Sequence, residues 1–461
     1  MLAKFKKKYI GDWDFYQKYL LLAIPMILQN AITNLVSFLD NIMVGQLGTE
    51  QMSGVAIVNQ LIFVYNLAIF GAVSAASIFG AQYFGKGNHK GHMYSFRFKL
   101  YATLLVTGGA ILLFLTKGSA LISLYLTDTV GNGATDLALQ YGLEYLAIMM
   151  VGLIPFAVNQ SYATNIKETG QTFIPMLASF VAVGTNAILD YLMIFGIGPF
   201  PELGVQGAAL ATVIARYIEA LIVVIWAHIH RGKNRYLEGA YTGFGIPLAE
   251  LKAILIKGFP LMMNEVLWAA GMTTVTQCYS VRGLNVVAGL NIASTITNLF
   301  NIVYLQLGSC ISIVVGQYLG AGKLEDAKDA DNKIVFSVFC CVIMAALMFV
   351  VGGFFPGIYN TTEEIRELAT SFIAVSAIIM PFCAFSHASY FTLRSGGKTV
   401  VTFLFDSVFT WVIVVPAAYL LAHFTGLGIV SIYFLVQGTE LIKVIIGYLM
   451  VKSNVWVVQM V

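Results

Sequence analysis

The chain has 461 residues, 58% hydrophobic and 11% charged, with a net charge of +3 and a mean hydropathy of +0.81. Soluble domains carry roughly a quarter charged residues, so this composition excludes an ordinary soluble protein and points to a polytopic membrane protein. The apolar runs are continuous over about 20 residues or more, the length of a spanning helix, which excludes a barrel of short alternating strands.

The N-terminus, M-L-A-K-F-K-K-K-Y, is basic, but no small-residue cleavage site follows the first apolar run. Residues 20–43 therefore read as a retained first span. Twelve spans are predicted: 19–43, 53–79, 96–116, 138–159, 171–195, 205–229, 254–277, 287–315, 333–354, 368–392, 399–422 and 427–450. The connections are short, and the longest, 231–251, marks a boundary between two halves, 1–235 and 236–461. Of the 26 Lys and Arg residues, twenty-one fall on one side of this layout. Only Lys117, Arg282 and Arg366 fall on the other, and Arg216 and Lys443 stand in spans. The positive-inside rule then places both termini in the cytoplasm.

The halves repeat. Gln82, Tyr83, Gly85 and Gly87 match Gln317, Tyr318, Gly320 and Gly322 at a constant offset of 235, which also takes Pro25 to Pro260. Six spans separate the copies, an even number, so the repeats share one orientation. The expected fold is all-α: twelve transmembrane helices in two pseudo-twofold-related six-helix lobes that rock about a cleft. Pro25 and Pro260 each remove a backbone hydrogen bond early in a lobe's first span, giving either a static kink or a moving hinge. The five Cys have neither disulfide-framework nor zinc-ligand spacing and read as small packing residues.

Ionisable residues inside spans are few, and they are costly there. Asp190 lies four residues after Asn186, on the same helix face. Counted from the inner ends of their spans, Asp40 and Asp190 are roughly 33 and 30 Å deep at 1.5 Å per residue, so they share a level in the outer half of the first lobe. Thr212 can reach the same height. Oxygens from Asp, Asn and Thr suit a hard cation or a proton. Asp40 alone could equally cap the outer end of its span. In the second lobe Glu265 and Asp406 lie roughly 12 Å from the inner face. Trp268, one turn from Glu265, makes that carboxylate suited to an organic cation through charge and cation–π attraction. Asp406 reads either as a functional acid or as one half of a contact with span 12. Glu440 with Lys443, and Arg216 with Glu219, are spaced to pair with each other. His387 reads as a hydrogen-bonded packing residue.

No G-x-x-x-x-G-K-[ST], H-E-x-x-H or G-x-S-x-G is present, so neither a nucleotide-driven pump nor a hydrolase is indicated. Uphill transport would draw on an ion gradient.

At this point the sequence resembles a known family. P-M-I-L-Q-N-A-I-T-N-L-V-S-F-L-D-N-I-M-V-G-Q-L-G (residues 25–48) and N-A-I-L-D-Y-L-M-I-F-G-I-G-P-F-P-E-L-G-V-Q-G-A-A-L-A-T (residues 186–212) are similar to segments of MATE (multidrug and toxic compound extrusion) transporters of prokaryotic type. So is L-R-S-G-G-K-T followed by Asp406. The resemblance implies an antiporter, not an enzyme, that exports organic cations across the cytoplasmic membrane in exchange for Na⁺ or H⁺. It places the coupling cation at Asp40, Asn186, Asp190 and Thr212, a bend at Pro25, and a second-lobe acidic residue at Glu265; Trp268 and Asp406 join Glu265 as substrate candidates by their own placement. Some subgroups carry an Asp on span 10; here that stretch reads P-F-C-A-F-S-H-A-S-Y. The expected partners are small-molecule cations and membrane lipid, with no nucleic acid and no cofactor beyond the coupling ion, in a monomer. The alternative is a flippase for a lipid-linked saccharide, which would need a cleft rich in Arg and Lys.

Overall fold

The computed structural model describes residues 10–126, 134–243, 245–333 and 335–461. The basic N-terminal residues Lys4 to Lys8 lie outside them. Twelve helices among the described residues are long and apolar enough to cross a membrane, and no strand occurs among those residues. A helix closes its backbone hydrogen bonds within one segment, which is what a lipid environment demands. The helices are α1 (Trp13–Gly45), α2 (Thr49–Lys86), α3 (His89–Ser123), α4 (Ala134–Glu168), α5 (Phe173–Ile194) and α6 (Val205–Ile229). After the linker come α7 (Leu248–Ser280), α8 (Leu284–Gly320), α9 (Val335–Gly352), α10 (Glu363–Ser395), α11 (Thr399–Phe424) and α12 (Ile429–Lys452).

Several helices outrun the apolar segments that predict them. α3 begins at His89, seven residues before the predicted span 96–116, and Arg97 and Lys99, counted with the inner-side charges, stand inside the helix and are buried. Both charges are met locally. Arg97 donates to the carbonyls of Ala240 (2.9 Å), Gly245 (2.8 Å) and Gly239 (2.6 Å) in the linker after α6. Lys99 donates to Asn165 Oδ1 (2.6 Å) and to the Glu168 carboxylate at the end of α4. A short helix, Leu324–Asn332, also precedes α9. It is too polar to span and buries Ala327, Ala330 and Asp331.

The chain forms two compact units. One comprises Leu28–Gly80 and His89–Lys252. Its core contains Val58, Leu153, Ala157 and Ala209, all fully buried, and a second cluster around Phe96, Ile166 and Tyr236. The other comprises the chain up to Ile27, Ala81–Asn88 and Ala253–Val461, with a core that includes Ala23, Cys310, Leu319, Phe372 and Trp456. The division falls within α1, just after the buried Pro25, through which the helix runs without interruption.

In this second unit the repeated motif packs on itself. A Cβ on Gly85 would stand 1.9 Å from the Gln317 carbonyl oxygen, and one on Gly320 would stand 1.9 Å from that of Gln82. Only glycines let the ends of α2 and α8 approach so closely. Gln82, fully buried, donates to the Ser395 carbonyl (2.9 Å) and accepts from the Met460 amide (2.8 Å), tying the C-terminal segment to this crossing.

Candidate functional site

The α5 segment N-A-I-L-D turns Asn186 and Asp190 to one face, as the spacing of four requires. Asp190 is 0% exposed and Asn186 5%. Asn186 Nδ2 donates to Asp190 Oδ2 (3.0 Å) and lies 3.4 Å from Thr212 Oγ1 on α6. Asp40, on α1, brings its carboxyl against that of Asp190. All four residues belong to the first-described unit, so one site gathers Asp40, Asn186, Asp190 and Thr212.

Oxygen Oδ1 of each carboxyl is buried with no hydrogen-bond partner. Two buried carboxylates in contact, each with an open oxygen, repel unless a proton or a cation stands between them. Hard oxygen donors without Cys or His fit Na⁺ or H⁺. Tyr145 on α4 is within electrostatic reach of both carboxyls and of Arg216, and its hydroxyl donates to Asn59 Oδ1 (3.3 Å). Neither Tyr145 nor Asn59 stands out in the sequence, since aromatic and neutral polar residues are common along these helices.

A second polar chain in the same unit joins α1, α5 and α6. Gln29 Nε2 donates to Ser179 Oγ (2.7 Å), and Ser179 donates to the Glu219 carboxylate. The expected Arg216–Glu219 ion pair does not form. Arg216 instead lies 3.4 Å from the Gly152 carbonyl with its guanidinium 5.2 Å from the Phe156 ring centre. Its long side chain reaches α4 across the helix interface, where a carbonyl and a ring face compensate its burial.

In the other unit the acids separate. Lys443 on α12 pairs with Asp406 Oδ1 at 2.8 Å, correcting the expected Glu440–Lys443 pair. The ammonium also lies 5.6 and 5.8 Å from the rings of Phe405 and Phe409. Asn264 Nδ2 donates to Asp406 Oδ2 (3.1 Å), and Ser407 Oγ donates to Asn264 Oδ1 (2.7 Å). Both oxygens of Asp406 are thus engaged. Asp406 sits where α11 widens into π-helical turns, Leu404–Val408 and Thr410–Val414, just before Pro416. Pro416 offers no amide to the preceding turn and its ring crowds it, a recognised cause of such widening. Glu265 is half-buried, within electrostatic reach of Asp406 and Arg394, while Trp268 is 38% exposed. His387 Nδ1 pairs with the Cys383 carbonyl (2.9 Å) and its ring lies on Tyr304, so it packs as expected.

Sequence reasoning foresaw a span-12 partner for Asp406 without naming Lys443, and passed over Asn264. A lone lysine in an apolar span was the available signal for the first. Asn264, adjacent to Glu265, gave none.

The MatE family profile matches residues 25–192 and 260–420, covering both halves. A "Probable multidrug resistance protein NorM" from Thermotoga maritima is 23% identical over 413 residues, 89% of this chain and 86% of the relative. A protein of the same description from Halalkalibacterium halodurans is 24% identical over 413 residues, 89% and 88% of the two chains. Among solved structures, a MOP superfamily transporter from Pyrococcus furiosus superposes with a TM-score of 0.85 at 20% identity, covering 98% of this chain and 97% of the other. An outward-facing multidrug resistance MATE family transporter gives the same score, identity and coverage. With two long segments matched by the profile and the twelve-helix fold shared end to end, the chain belongs to the MatE family, the MATE transporters.

Proposed function

We propose that this chain is a secondary antiporter that exports amphipathic organic cations across the cytoplasmic membrane in exchange for inward Na⁺ or H⁺. The observation that carries the reading is the Asp40–Asp190 pair, with an open buried oxygen on each carboxyl, held beside Asn186 and Thr212. A membrane potential of ~100 mV, inside negative, opposes exit of a monovalent cation by about 2.3 kcal/mol, and entry of one Na⁺ or H⁺ offsets that term. Binding of the ion neutralises the carboxyls, α1 bends near Pro25, and the organic cation leaves outward as two lobes, divided near residue 235, alternate their access. Glu265 with Trp268 offers the second lobe a carboxylate and an indole for the organic cation. Asp406 serves there as the fixed partner of Lys443. Both termini face the cytoplasm, the protein works as a monomer among membrane lipids, and no enzymatic step is involved. The multidrug description of the NorM relatives supports the substrate class.

The lipid-linked saccharide reading requires free cations for a pyrophosphate. The two cations expected within spans are both engaged, Arg216 on α4 and Lys443 on Asp406, so nothing favours it.

Efflux of ethidium from proteoliposomes tests the proposal, first with a Na⁺ gradient at equal pH and then with a pH gradient without Na⁺. Efflux driven by either gradient supports it; no gradient-driven movement of any cationic dye overturns it.

A further inference from the structure

A cavity of about 480 Å³ opens in the unit that holds the C-terminus, against the short helix Leu324–Asn332. Phe385 on α10, Tyr448 on α12 and Trp456 beyond it supply aromatic lining. Asp331 and Thr392 line it too and are 7% and 0% exposed. Thr392 Oγ1 donates to Asp331 Oδ1 at 2.6 Å. The second oxygen of Asp331 has no hydrogen-bond or ion-pair partner among the described residues. Lys328 and Lys452 also line the cavity, and none of the nearby cations pairs with Asp331. Lys328 pairs with Glu325 (2.8 Å), Lys333 with Asp329 (2.5 Å), and Lys452 lies over the Tyr448 ring at 5.6 Å.

A carboxylate more than nine-tenths buried, with one oxygen left open beside a cavity, lacks the positive charge that normally compensates such burial. Aromatic faces around it attract the same kind of charge and add apolar area. The volume falls in the range of small-molecule pockets, ~300–1,000 Å³, and exceeds what a bare metal ion needs. We propose that this cavity binds an amphipathic organic cation, its positive charge against Asp331 and its rings against Phe385, Tyr448 and Trp456. It is separate from the Asp40–Asp190 site, which belongs to the other unit. The ligand class rests on the export reading; the existence of a cation site rests on the cavity and its open carboxylate.

The test is equilibrium binding of ethidium to the purified full-length protein in detergent, read by fluorescence, in a background of Asp190→Asn with Glu265→Gln that disables the ion site and the Glu265–Trp268 site. Residual binding is expected there. Adding Asp331→Asn, which keeps an acceptor for Thr392, should weaken it by about tenfold or more, the usual scale for losing a charged partner. Val335→Lys places an ammonium at a cavity-lining residue that is 44% exposed and so tolerant of a long side chain. It should weaken binding equally while leaving Asp331 intact. No binding in the Asp190→Asn, Glu265→Gln background, or unchanged affinity in both added variants, overturns the site. If ethidium binds here as expected but no gradient drives its efflux, the export reading fails while the site stands; efflux with no second site gives the reverse.

Discussion

Lys443 Nζ lies 2.8 Å from Asp406 Oδ1, so the second-lobe carboxylate carries its cation with it, covalently tethered on α12. Asn264 engages the other oxygen. Asp40 and Asp190 are the converse: in contact, and each with a buried oxygen that has no hydrogen-bond partner among the described residues. One constellation is complete without an added ion, and the other requires one. That difference supports the proposal that the coupling ion binds at Asp40 and Asp190.

Removing one partner of a buried ion pair leaves an uncompensated charge. Lys443→Met should therefore destabilise the protein by about 3–5 kcal/mol, whereas Lys443→Met combined with Asp406→Leu should be close to neutral. Thermal unfolding in detergent distinguishes the two. A double variant as unstable as the single one would show that the pair is not what holds α11 to α12.

The crossing of α2 and α8 makes a sharper demand. A methyl at Gly85 or Gly320 would meet a backbone carbonyl at 1.9 Å, a contact no side-chain rotation relieves. Gly85→Ala and Gly320→Ala should each cost about 1–3 kcal/mol or more. Gly108→Ala in α3, where nothing lies within 4 Å, should be neutral or stabilising by up to about 1 kcal/mol. The melting temperatures should separate in that order.

Tyr236, in the linker after α6, is buried and its hydroxyl has no hydrogen-bond partner among the described residues. Burial holds its phenol well above the ordinary value, with the Glu168 charge adding to the effect. The folded state thus keeps a proton that the unfolded chain releases above the ordinary phenol value, near ~10. Stability from this group is complete below that pH and is lost as pH rises beyond it. Tyr236→Phe should be neutral or slightly stabilising at pH 7 and should lessen the alkaline fall in melting temperature.

Much of this architecture was legible in the chain. Twelve spans follow from apolar length, and the repeated Gln-Tyr-x-Gly motif marks the crossing of α2 and α8. Asn186 and Asp190 announce themselves because a carboxylate inside an apolar helix needs a reason. What stayed hidden depends on partners distant in sequence. Hydropathy starts α3 at 96 and not at His89, because polar residues such as Lys90 and His92 precede the apolar run and nothing in the sequence shows that Glu168 meets His92. Helical spacing favours Glu440 for Lys443, but a long side chain follows the nearest available carboxylate across a helix interface, and Asp406 supplied it. Neither Asn264 nor Tyr145 has a sequence pattern that distinguishes it from packing residues.

The most direct measurement is ion release on substrate addition. Purified protein is equilibrated in weakly buffered detergent with Na⁺, and an organic cation is added while pH and free Na⁺ are followed. Antiport coupled through the ion held at Asp40 and Asp190 predicts stoichiometric release of either protons or Na⁺ from wild type and none from Asp190→Asn. Release that persists in Asp190→Asn, or substrate binding with no ion released from wild type, would contradict coupling at this pair.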